Sequence, residues 1–188
     1  ICRHGFTEML NNVIDHADSG IVSIHCNDNG HTTALEIEDD GIGVFSSLRA
    51  HFGFDSDLHA LMELTKGKLT VAPLAHSGEG IFFSSKMFDC FTLESGSLSA
   101  KFSSNQCIVH PLKENRKGTR IVMQIANDCS RKIQDVFARF TNPNDFSFCK
   151  TRFLLALAAM ECDLTSRSQA KRAVVRFEQF NEVEVDFA

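Results

Sequence analysis

Tryptophan and tyrosine are both missing from these 188 residues, and phenylalanine supplies all 17 aromatic side chains. That weakens any role as a base-stacking or carbohydrate platform, for which only Phe remains. Missing too is any C-x-x-C pair among the seven cysteines. Thiols scattered in this way read as free cysteines in a reducing cytoplasm, not as a zinc site or a disulfide framework. No apolar run approaches the length of a membrane span, Phe153–Met160 being much too short, and no signal peptide opens the chain. Nor is there an excess of positive charge: the net charge is −5, which makes no electrostatic case for nucleic acid or an anionic membrane. The expectation is a cytoplasmic protein with no membrane partner. Because the first residue is Ile1, the true N-terminus is expected upstream, and nucleic acid would be met only through a domain there.

What is present is a globular composition, 43% hydrophobic and 23% charged, in a chain long enough for one substantial core and part of another. Hydrophobic spacing predicts a first helix from about Arg3 to Ala17, with Phe6, Leu10, Val13, Ile14 and Ala17 on one stripe. Glu8, Asn12, Asp15 and His16 fall on the other side, a face rich in groups that hold metals or move protons. Strand-like runs Ile21–Cys26 and Thr33–Asp39 flank Asn29-Gly30, a strong hairpin signal. Further helices are expected at Phe45–Phe54 (short and irregular), Asp57–Thr65 with Ser56 or Asp57 as cap, and Ile81–Phe88. A short extended piece is expected at Leu69–Leu74, and strands at Phe91–Glu94, Leu98–Phe102, Cys107–Leu112 and Gly118–Ala126, with a polar loop at Lys113–Lys117. The first 126 residues therefore read as α+β, a two-layer α/β sandwich. A helical stretch broken at Asn142-Pro143-Asn144 makes 127–145 a linker. Residues 146–188 follow as a second unit: an extended-then-helical Phe146–Ala159, an amphipathic helix at Ser166–Phe180 and a last strand at Val183–Phe187.

Several short patterns carry chemistry. Glu8 and Asn12 are four apart, so they stack on one helix face. The Asn amide oxygen suits a hard cation such as Mg²⁺ and the Glu can take a proton, although on its own the pair reads as a solvated helix face and means little. By the two-residue alternation of a strand, Asp39 points inward with Leu35 and Ile37. A buried carboxylate is either satisfied by protein groups or waits for a ligand with donors. Gly41 and Gly43 behind it would let backbone approach a planar ring closely. Gly78-Glu79-Gly80 before a helix offers flexible backbone and amides at a positive helix end, which suits phosphate oxygens. It is no P-loop, since G-x-x-x-x-G-K-[ST] occurs nowhere. Thr119 adds a hydroxyl on the interior face of its strand.

Taken in order, these patterns resemble the GHKL ATPase superfamily of gyrase, ninety-kilodalton heat-shock chaperones, histidine kinases and mismatch-repair ATPases, whose histidine kinase-like sandwich is the Bergerat fold. Glu8–Ala17 looks like its N box, Asp39-Asp-Gly-Ile-Gly43 its G1 box, Gly78-Glu-Gly80 its second glycine box, and Gly118-Thr119 its late Gly-Thr. The Asn12…His16-Ala17 spacing is most similar to histidine kinases and anti-sigma-factor serine kinases. The resemblance covers about residues 1–126 and implies an ATP site. In it, Asn12 coordinates Mg²⁺, Asp39 takes the adenine amino group, Gly41 and Gly43 shape the pocket, and Glu8 is the general base. About Val44–Ser84 would form the mobile lid over the phosphates, with Gly78 and Gly80 among its nucleotide-binding residues. The second box departs from the histidine-kinase pattern in being shorter in glycine.

Leu164–Arg172, Val183–Phe187, Gly78–Phe83 and Met87-Phe88-Asp89 resemble a bacterial STAS-like domain that follows such ATPases, here expected to be C-terminally incomplete. The resemblance implies a regulatory protein that hydrolyses ATP slowly or phosphorylates a protein serine, with a protein partner or phospho-acceptor and a homodimer among its expected assemblies. The alternative is a catalytically inert, nucleotide-gated interaction module. Ser166 and Ser168 read as helix-cap residues. Arg167, Lys171, Arg172 and Arg176 make the second unit locally basic, as a solvated helix face would be.

Overall fold

The computed structural model describes residues 1–71, 77–103, 106–161 and 164–187. Four antiparallel strands form one sheet in the order β1-β2-β4-β3: β1 Val22–Asp28, β2 Thr32–Asp39, β3 Cys90–Ser103 and β4 Gln106–Ala126. The β1–β2 hairpin turns at Asn29-Gly30, where Gly30 takes φ 84° as such a tight turn requires. Alternation sorts the two faces. Ile37, Phe91, Leu93, Ile121, Met123 and Ile125 are buried beneath the helices. The opposite face carries ion pairs instead: Arg120 reaches Glu36 at 2.6 Å and Glu94 at 3.1 Å, and Arg116 pairs with Glu38. One apolar face and one charged face make a two-layer α+β sandwich, the fold class expected.

Four of the strands expected downstream of residue 90 are pieces of two longer ones. Phe91–Glu94 and Leu98–Phe102 merge into β3, while Cys107–Leu112, the supposed loop Lys113–Lys117 and Gly118–Ala126 merge into β4. Pairing survives the polar interruption because the register slips there, from Ser95↔Thr119 to Gly96↔Arg116 and then to Leu98↔Pro111. The extra residues bulge from β4, and Gly96 takes φ 53° opposite them.

The helical layer comprises α1 Cys2–His16, α2 Val44–Phe52, α3 Asp57–Thr65 and α4 Gly80–Met87. Helix α3 has the bounds expected of it, with the Ser56 hydroxyl accepting from His59 N–H as its N-cap. Segment 45–54 is more regular than expected, a helix closed by left-handed Gly53. On α1 the buried stripe is Gly5, Met9, Val13 and Ala17, rotated from the one expected: Ile14 is 69% exposed. Gly5 explains the rotation, because a Cβ there would collide with the Phe88 ring and the helix lies close at that point. The extended piece expected at Leu69–Leu74 lies partly outside the described residues, and so does the middle of the expected lid; Leu69–Val71 are not strand.

Helix α5, Ile133–Ala138, leads through a turn at 142–147 into β5 Lys150–Leu154, α6 Leu155–Glu161, α7 Arg167–Ala173 and β6 Glu182–Asp186. β5 and β6 pair in parallel, joined through the two helices as parallel strands require. The helix expected to reach Phe180 stops at Ala173 and gives way to a short 3₁₀ turn at Phe177–Gln179, with Arg176 left-handed at φ 69°. Ser166 caps α7 in a full capping box with Gln169.

The expected linker lies within one continuous core. Phe82 and Phe83 on α4 contact Phe137, Phe140 and Phe148 at ring-centroid distances of 4.2 to 6.1 Å, and Phe148 meets Phe180 at 5.4 Å. Such pairs each add about 0.5–1.5 kcal/mol beyond area burial. Among the described residues no helix is long and apolar enough to cross a membrane.

Candidate functional site

Helix α1, the end of β2, the first turns of α2, the latter half of β4 and, from the segment that follows α2, residues 64, 69–71 and 77–81 line a cleft of about 140 Å³, partly open to solvent. Glu8, Asn12, His16, Asp39, Gly43, Gly78, Gly80 and Thr119 all line it. Two residues named from the sequence do not. Asp15 is exposed on α1, outside the lining. Gly41 is buried behind the wall, where a Cβ would collide with the carbonyl of Ala17; its smallness lets the end of α1 meet the β2 turn, and Ile42 N–H donates to that carbonyl at 2.9 Å.

Asp39 sits at the closed end, 3% exposed. Its Oδ1 accepts from Gly41 N–H at 2.8 Å. Burial pushes its carboxyl above the ordinary aspartate range, against the pull of the Gly41 and Thr119 backbone amides and with a smaller push from Asp40 and Glu38. No cation answers it among the described residues. Gly43 and Gly118 hold the turn shut at φ 80° and 72°. A Cβ on Gly43 would stand 2.6 Å from Ser95 Oγ, which itself donates to the Gly118 carbonyl at 2.9 Å. The Thr119 hydroxyl accepts from Val44 N–H at 2.9 Å, tying the sheet to the start of α2.

At the open end, Glu8 faces the N-terminus of α4, where a Cβ on Gly80 would stand 2.7 Å from Glu8 Oε2. Asn12 Nδ2 makes a long contact of 4.0 Å to Met9 Sδ, and its amide oxygen accepts no hydrogen bond among the described residues. Glu79 lies beside them. Burial raises its carboxyl above the ordinary range, with Lys68 and Ser77 pulling down and Glu8 pushing up. The lining thus holds three carboxylates, Glu8, Asp39 and Glu79, and no Lys or Arg among the described residues. A polyanion would enter this cleft only with a cation to shield it. No group of three or more His, Cys, Asp or Glu is placed to hold a metal unaided among the described residues, so such a cation would share its coordination with the ligand. An unengaged Asn12 oxygen, a neighbouring carboxylate and the glycine gaps fit that arrangement.

The segment leading into the cleft is gripped from the C-terminal side. Lys66, fully buried, pairs with fully buried Glu63 and donates to the Val175 carbonyl at 2.9 Å. Arg176 reaches Glu63 Oε2 at 3.3 Å and the Gly67 carbonyl at 2.7 Å. Lys68 Nζ donates to the Gln179 carbonyl at 2.7 Å and lies over the Phe180 ring at 4.8 Å. Leu69, the next residue, already lines the cleft. Sequence reasoning missed Glu79 as a charged cleft residue, Ser95 as the brace beneath Gly118, and this seam. Only Glu79 carried a signal, lying between two named glycines.

The cleft and sandwich define an α+β domain with an acidic cleft. No protein-family model matches the chain. No curated protein matches it either. Among solved structures it is similar to the 43K ATPase domain of Thermus thermophilus gyrase B in complex with an aminocoumarin, at 17% identity and a TM-score of 0.42. That match covers 74% of this chain and 38% of the other, so the chain spans well under half of the neighbour's length.

Proposed function

We propose that the cleft binds ATP together with Mg²⁺, and that the protein is a regulatory ATPase or protein serine kinase of the GHKL type. The observation that carries this reading is the buried, cation-free Asp39 at the closed end of a cleft whose other end holds Glu8, Asn12 and the N-terminus of α4. A carboxylate so placed accepts from the exocyclic amine of adenine. The α4 amides and its positive end suit phosphate oxygens. Asn12 would hold the Mg²⁺, which when bound neutralises phosphate charge. Glu8 would take the proton from an attacking water or serine hydroxyl. Residues 1–126 would be the nucleotide-binding domain, 127–145 its linker and 146–188 a STAS-like switch module. A protein phospho-acceptor and a second copy of the chain would be its partners, in the cytoplasm.

A second reading rests on the seam at Lys66-Gly67-Lys68. Because the C-terminal segment grips the start of the cleft's covering segment, nucleotide could reposition a partner surface without any group transfer.

Calorimetric titration of ATP, with and without Mg²⁺, tests the common core of both. Binding in the micromolar range, about −8 kcal/mol, is expected with Mg²⁺, and chelation should abolish most of it. Absence of binding in both conditions defeats the nucleotide reading. Glu8→Gln then separates the two: loss of turnover with binding retained supports the enzyme, and a wild type that binds without turnover supports the gated module.

A further inference from the structure

A second cavity lies at the other end of α4, away from the cleft, between the last turn of that helix, the β3–β4 hairpin and the stretch around α5. Among the described residues its lining carries Lys86, Arg131 and Arg139 against a single carboxylate, Asp89. That carboxylate is already engaged: Asp89 Oδ1 accepts from Arg131 at 2.8 Å and Oδ2 from Ala126 N–H at 2.8 Å. Neither Lys86 nor Arg139 has a hydrogen bond or an ion pair among the described residues. Their recorded partners are rings, Lys86 over Phe82 and Arg139 over Phe140, each at 5.5 Å.

We propose that this cavity is a binding site for a small phosphate-type oxyanion, held by Lys86 and Arg139 with Arg131 at its edge.

Arg139 is exposed at the rim of the cavity and Lys86 is half-buried inside it, and a half-buried cation with no answering protein charge carries a desolvation cost that a bound anion relieves. The Lys86 ammonium registers that cost. Burial first, then the Arg152 and Arg139 charges, push it down to about 8, while Cys107 and Glu184 act weakly the other way. Cys107 supplies no counter-charge of its own, since burial holds its thiol neutral, pushed up to about 12. Arg152 is itself paired with Asp186 at 2.6 Å and Glu184 at 3.7 Å, and of those two carboxylates Glu184 is the last and smallest of the influences on Lys86. Compare Lys66, which is fully buried but matched by Glu63. Lys86 lacks a matching protein group, and an oxyanion with several acceptor oxygens supplies one. Guanidinium and ammonium donors together favour phosphate geometry. Nothing in this argument depends on the nucleotide cleft.

The test uses the whole chain. An amine-acylating reagent is applied at fixed ionic strength in chloride, in inorganic phosphate and in O-phosphoserine, and modification is read peptide by peptide. Phosphate is expected to protect Lys86 selectively and saturably, leaving exposed Lys113 and Lys132 unaffected. Protection by both anions supports a site for the phosphoryl group, and by phosphate alone a site for the free ion. Equal labelling of Lys86 in all three solutions overturns the proposal. Calorimetry adds an independent arm: Lys86→Met and Arg139→Gln should each weaken phosphate binding about tenfold or more, the scale of a charge-assisted hydrogen bond. Wild-type affinity in a folded Lys86→Met protein also overturns it.

Discussion

The closed end of the cleft and the seam behind it each bury a carboxylate, yet they treat it in opposite ways. At the seam, Glu63 is fully enclosed and meets two cations, Lys66 and Arg176, whose remaining donors go to the carbonyls of Val175 and Gly67. At the cleft, Asp39 is almost as enclosed and meets only backbone amides, so burial raises its proton affinity. A matched buried charge is a joint: it joins the C-terminal segment to α3 and has nothing left to offer. An unmatched one keeps acceptor capacity in reserve, at a cost in stability, and that is what a binding site needs.

The largest effect should come from breaking the joint. Glu63→Gln strands two cations in the core and is expected to cost about 3–5 kcal/mol, read as a fall in the denaturant midpoint. Replacing both Glu63 and Lys66 by Leu and Met should cost much less than the single change. If single and double variants lose stability equally, the seam is not an electrostatic joint. Next is Gly118→Ala, which places a Cβ against the Asp39 carbonyl at φ 72°. It should cost about 2–3 kcal/mol and weaken ligand binding as well, because the backbone that must yield carries Asp39.

Asp39→Asn is the sharpest contrast to Glu63→Gln. It should leave the thermal midpoint unchanged or slightly raised, since it removes an unmatched buried charge, while ATP affinity drops about tenfold or more. A large loss of stability would show that Asp39 is structural and not held in reserve.

The smallest effect is in the pH dependence, where the two buried aspartates should oppose each other. Asp39 has its folded value raised from 3.8, so its favourable share is present below that value and lost as pH rises through the raised one. Asp57 runs the other way. Burial would raise it, but Ser97 N–H and hydroxyl and Arg49 together outweigh that and hold it down, so its share is present above 3.8 and lost as pH falls through the depressed value. Asp57→Asn should therefore flatten the acid limb of a stability titration, and Asp39→Asn should not. ATP binding should weaken on acidification at a higher pH than an ordinary aspartate would impose.

Local chemistry was legible wherever a short stretch decides its own conformation. Asn29-Gly30 specifies its hairpin, Ser56 starts α3, and Ser166 with Gln169 starts α7. Period-two alternation was enough to turn Asp39 inward. Illegible features were those a distant partner decides. Ile14 faces solvent because Gly5 draws a different stripe of α1 onto Phe88. Helix α7 ends early, and just beyond it Arg176 takes a left-handed conformation with its guanidinium on Glu63, 113 residues away in sequence. Lys113–Lys117 looks like a loop in isolation and is a bulged part of β4, tied to β3 through Arg116 opposite Gly96.

By itself, then, the sequence determined the α+β class, the elements of the first 90 residues to within a residue or two and eight of the ten named residues that were expected at the cleft, since periodicity, caps and turns act over a few residues. Tertiary structure alone decided which buried charges are matched. Glu63, Lys66 and Lys86 look like ordinary helix residues in the chain, and whether a counter-ion stands opposite depends on segments brought together only by folding. That matching separates a joint from a site, because the cost of a buried charge is set by its neighbours in space.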